Sequence, residues 1–70
     1  MADQYKFGTR SDATLALQRA LAARGDYRDA IDGTFGRKTR AAVDAARAAL
    51  GLPAGGVDGQ LLARLGLAPA

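Results

Sequence analysis

Neither cysteine nor histidine occurs in this chain of seventy residues, so its fold has no disulfide, thiolate or imidazole staple to rely on. A chain of this length hides only about 60% of the surface its unfolded form exposes. Without staples, a core of that size supplies roughly 3–5 kcal/mol. Much of the apolar share, 49% of the sequence, is alanine, so large side chains are few and each carries weight. One domain is the most such a chain can build.

The same absences narrow the chemistry. No Ser-His or Cys-His pair can form, and no redox dithiol or thiolate metal site. Asp26, Asp29 and Asp32 lie close together but miss the alternating spacing of a calcium loop, and no Glu closes it. They read as solvated loop charges, with Asp32 a turn residue. A glycosidase pair needs two acids held across a cleft, which a domain this small does not enclose. Catalysis, metal binding and a cofactor are therefore not expected.

The bases are mostly Arg, the acids are all Asp, and the net charge is +3. That mild excess suits solubility first and an anionic partner second. No stretch approaches the ~20 apolar residues of a membrane span, and the first residues lack the basic-then-apolar pattern of a signal peptide.

Periodicity predicts an all-α fold of three helices. Residues 1–10 are polar and aromatic without a period and read as an N-terminal arm. Ser11-Asp12 signals a helix start, after which Thr14, Leu17 and Leu21 recur at helical spacing until Gly25. A second helix is predicted from Arg37 to Leu50. Its inner stripe is Thr39, Ala42, Val43, Ala46 and Leu50, and its wet face is Arg37, Arg40, Asp44 and Arg47. Gly51 and Pro53 close it. A third, short helix runs from Asp58 to Leu65, with Leu61, Leu62 and Leu65 inward. Residues 68–70 read as the start of a linker or tail, which leaves 11–67 as the domain.

Ile31-Asp32-Gly33 precedes the second helix as Val57-Asp58-Gly59 precedes the third, a weak internal repeat. Asp accepts free turn or helix N–H groups and Gly permits backbone angles that other residues resist. The link from Gly25 to Gly36 is longer than the ~2–8 residues usual between helices. Its Tyr27, Ile31 and Phe35 are too apolar for a tether, so all three are expected to tuck beneath it.

Taken in order, Leu17-Gln18-Arg19-Ala20-Leu21, Gly25, Ile31-Asp32-Gly33-Thr34-Phe35-Gly36, Thr39, Ala42-Val43, Gly51-Leu52-Pro53 and Gly56-Val57 resemble the peptidoglycan-binding domain of the first type. The resemblance spans about residues 14 to 66. It implies a compact three-helix fold of two related halves, and an accessory role holding lysins, amidases, carboxypeptidases or transglycosylases on the bacterial wall. The chain departs from that pattern where the family has Phe-Gln and Ala45-Ala46 stand here. Losing an aromatic anchor costs ~3–5 kcal/mol if the space stays empty. Tyr5 or Phe7, folding back from the arm, is expected to fill it. Gly59-Gln60-Leu61-Leu62 also replaces the usual Thr and aromatic of the last helix.

The implied partner is bacterial peptidoglycan, with an attached catalytic domain and a monomeric module acting at the wall, outside the membrane. An endolysin made in a phage-infected cell fits the missing signal peptide. Asp32, Gly33, Thr34, Phe35, Gly36, Arg37, Lys38 and Arg40 are the expected ligand residues. The bases would pair with stem-peptide carboxylates, and loop N–H groups would meet peptide carbonyls. Leu17, Gln18, Leu21, Ile31, Thr39, Val43, Leu50, Leu61 and Leu65 are expected to be structural. A protein-docking module on the same scaffold is the alternative. Nucleic acid comes a distant third, because the bases are dispersed and both links exceed the ~3–4-residue turn of a helix-turn-helix.

Overall fold

The computed structural model describes residues 5–67. The readings of 1–4 and 68–70 lie outside the described residues. Three helices make the fold: α1 (Asp12–Arg24), α2 (Arg37–Ala49) and α3 (Gly59–Arg64), with no strand among the described residues. The all-α expectation holds.

Local chemistry starts and stops these helices. Ser11 caps α1 by accepting from the Thr14 N–H at 3.0 Å, and Asp58 caps α3 by accepting from Leu61 at 2.9 Å. All three helices end alike. A glycine with positive φ (Gly25, Gly51, Gly66) turns the chain. The next residue's N–H then returns to a carbonyl five residues back: Asp26 to Leu21, Leu52 to Arg47 and Leu67 to Leu62, at 2.8–2.9 Å.

Leu17, Leu21, Tyr27, Phe35, Ala42, Val43, Ala46 and Leu61 form one buried cluster. Leu50, Leu52, Val57, Leu65 and Leu67 pack on it half-buried. The described part of the arm is hydrogen-bonded to the α1–α2 loop. Gly8 donates to Phe35 at 2.8 Å, Phe35 to Thr9 at 2.8 Å and Ser11 to Gly33 at 3.0 Å, with Arg10 bridged to Thr34.

Three expectations are corrected. Arg47 does not lie on the wet face: it is 3% exposed. Its Nε donates to the Pro53 carbonyl at 2.8 Å. Its Nη1 donates to the Gly56 carbonyl at 2.8 Å and to Asp58 Oδ1 at 3.0 Å. A long cation with five donors satisfies the inward carbonyls of the α2–α3 connection, and that compensates its burial.

Ile31 does not tuck under its loop but stands 44% exposed, while Tyr27 and Phe35 are buried. The N–H groups of Asp32 and Gly33 both point inward to Gln18, which turns the preceding side chain outward. Ala45 is exposed, so the inward pair of this turn is Ala46-Arg47 and not Ala45-Ala46. Of the two arm aromatics, Tyr5 packs half-buried on the core and Phe7 stays exposed.

The Asp58 carboxyl lies below its ordinary 3.8, first because the Leu61 N–H bonds it and next because Arg47 does. A carboxyl depressed on folding contributes stability that is complete above 3.8 and lost as pH falls through its lower folded value. Arg47→Ala orphans two inward carbonyls and relaxes that depression. It is expected to lower urea-measured stability by about 2–3 kcal/mol at neutral pH, and to shrink the acid-induced loss relative to the native chain. An Arg47→Ala variant as stable as the native chain contradicts this account.

Candidate site at the loop and the start of α2

The site is built outward from one side chain. Gln18 sits on the inner face of α1 and is fully buried. Its Oε1 accepts from the Asp32 N–H at 3.0 Å and the Gly33 N–H at 2.8 Å. Its Nε2 donates to the Thr34 carbonyl and to Thr39 Oγ1, both at 3.0 Å. Tyr27 Oη and Asp32 Oδ1 lie farther from Nε2, at 3.3 Å. One amide thus ties α1 to the loop and the loop to α2.

The rest of the loop closes on that anchor. Asp32 Oδ1 accepts from the Thr34 N–H at 2.9 Å, an Asx turn. That bond, followed by the one from Gln18, holds the Asp32 carboxyl below its ordinary range. Gly33 has φ +78°, and a Cβ there would stand 3.0 Å from the Ser11 carbonyl, so the arm crosses directly over it. The Tyr27 hydroxyl donates to the Ala30 carbonyl.

These bonds redistribute the sequence-predicted ligand residues. Gly33 and Phe35 are buried, and the N–H groups of Gly33, Thr34 and Phe35 are engaged by Gln18, Asp32 and Thr9. Loop amides at those three positions are therefore not offered to a peptide carbonyl. Asp32, Thr34, Gly36, Arg37 and Lys38 do come together around a shallow depression of about 250 Å³, joined by Tyr27, Asp29 and Thr39. Arg40 is not among them: it lines a separate groove together with Phe35.

Sequence reasoning missed Tyr27 and Asp29 as walls of the depression. The aromatic signal at Tyr27 was visible, but which of its sides stays open depends on the hydroxyl bond to Ala30.

The electrostatics at the start of α2 are unusual. α1 and α3 each have a side-chain cap, whereas α2 begins at Gly36 with none and has no acid in its first turn. Arg37 and Lys38 stand there, both exposed, at the positive end of the helix dipole. Lys38 reaches Asp29 only at 3.6 Å, through well-exposed side chains, a contact of little energetic value. First-turn amides without a side-chain cap and two bases leave an edge that a carboxylate complements.

A fixed loop, an uncapped second helix and a chain of two similar halves are joined here to a sequence match. The family model described as peptidoglycan binding domain matches residues 10–65. The chain belongs to that family. No curated protein and no solved structure matches it. Family membership supports cell-wall binding, and the matched domain is a binding domain.

Because the α1–α2 loop hangs on Gln18, its amide is the sensitive point. Gln18→Glu replaces the Nε2 donor with a carboxylate oxygen facing the Thr34 carbonyl. The variant is expected to lose about 2–4 kcal/mol at pH 7, and less in acid where the new carboxyl is protonated. Thermal melts of both proteins at matched pH measure this, and equal midpoints throughout contradict it.

Proposed function

We propose that this domain is a non-catalytic accessory module that holds an attached lytic or wall-remodelling enzyme on bacterial peptidoglycan. The observation that carries the reading is the start of α2: an uncapped helix end bearing Arg37 and Lys38 beside a loop fixed by Gln18. Stem peptides of the wall end in free carboxylates, and such an edge complements them. Arg37 and Lys38 take the carboxylate, while Thr34 and Gly36 form the adjoining wall. Asp32 shapes the loop and does not itself meet the anion. The module acts as a monomer outside the membrane, in the periplasm or beyond the cell, and an endolysin is one parent that suits it.

Co-sedimentation with purified sacculi stripped of teichoic acid tests the reading. Native protein is expected to pellet at physiological salt, where exposed charges more than about 8 Å apart are largely screened. Arg37→Ala combined with Lys38→Ala is expected to weaken pelleting about tenfold. A native protein that is folded by circular dichroism yet stays in the supernatant contradicts wall binding and favours a protein partner.

A further inference from the structure

A second concavity lies apart from the depression at the loop. A groove of about 520 Å³ runs between the arm, α2 and the α2–α3 connection, within the ~300–1,000 Å³ range of small-ligand sites. Phe35 forms part of its floor, Tyr5, Phe7 and Val57 its sides, and Arg40 and Asp44 its rim.

Phe7 is the notable member. At 55% exposure it is one of two exposed large apolar residues among those described, the other being Ile31. It is also held rigidly. Thr9 N–H donates to the Lys6 carbonyl at 3.0 Å across Phe7 and Gly8, and Gly8, with φ +88°, returns its own N–H to Phe35 at 2.8 Å. The ring is therefore mounted on a tight turn anchored to the core, not on a loose tail. Both Tyr5 and Phe7 lie before residue 10, where the family match begins.

The rim supplies one donor and one acceptor. Arg40 and Asp44 are four residues apart on α2, so their side chains share one face about 5–6 Å apart at Cβ. Both are exposed, and no ion pair engages either among the described residues. A pyranose ring has an apolar C–H face that packs on an aromatic side chain, and an acetamido group presents one carbonyl and one N–H. Arg40 donates to the first and Asp44 accepts from the second.

We propose that this groove binds the N-acetylated glycan strand of the wall, separately from the carboxylate edge at Arg37 and Lys38. The proposal rests on the wall-binding reading and deepens it. Segment 34–36 lies between the two sites, with Phe35 lining the groove and Thr34 and Gly36 the depression. A sugar and its attached peptide can thus straddle that segment.

The test uses a peptide-free N-acetylglucosamine tetramer, followed by amide chemical shifts of the whole chain, beside sacculus co-sedimentation. The tetramer is expected to move the amides of Phe7, Asp44 and Val57. Phe7→Ala, with an unchanged melt, is expected to bind it about tenfold or more weakly, and Asp44→Ala, which removes the acceptor, is a second weakened variant. If native protein pellets with sacculi but the tetramer moves no groove amide, or moves those of Thr34 and Lys38 instead, the glycan groove is wrong and wall binding stands. Groove shifts that track protein concentration without sugar assign the groove to a second copy and overturn the proposal. Groove shifts with the tetramer, in a protein that does not pellet, uphold the sugar site and remove the wall reading. Failure in both assays overturns both.

Discussion

Everything in the first half of this domain hangs on the buried amide of Gln18. A primary amide with two donors and two acceptor lone pairs meets two backbone N–H groups, a backbone carbonyl and a threonine hydroxyl. In a chain without staples it does for the α1–α2 loop what a disulfide does elsewhere. It also fixes residues 32–34 in one conformation. Removing it leaves several buried polar groups unpaired at once, a penalty comparable to the ~3–5 kcal/mol that a core of this size supplies. The loop's order and the domain's stability therefore share one cause.

The second half repeats the device with a different side chain. Gln18 follows the buried Leu17 of α1 and reaches Asp32. Arg47 follows the buried Ala46 of α2 and reaches Asp58. Each acid also accepts a backbone N–H of the turn it starts. In both halves a helix residue pins the following loop through an Asp-Gly pair. The guanidinium is longer and spans two carbonyls as well.

This arrangement explains what was legible in the sequence. Caps and stops are local chemistry, and Ser11, Asp58, Gly25, Gly51 and Gly66 act as their residue types predict. The inward leucines follow from period alone. Arg47 was not legible, since polarity assigns an arginine to solvent unless its carbonyl partners, six and nine residues on, are known. Ile31 failed for the converse reason: an apolar side chain was turned out by the backbone bonds of its neighbours. Pairing of residues 8–11 with 33–35 joins segments too distant in sequence for any periodicity to report. The candidate site was legible as a segment but not as a surface. Residue types marked 32–40, while the bonding of their amides and the placing of Arg40 in a separate groove are tertiary facts.

The central claim is that the Gln18 amide holds the loop as firmly as the core itself. Native-state hydrogen exchange at the Gly33 amide measures it most directly. This N–H is expected to exchange only on global unfolding, with the same opening free energy as the core of α1 at Leu21. Exchange of Gly33 as fast as that of an exposed loop amide, while Leu21 remains protected, would show that the anchor does not hold.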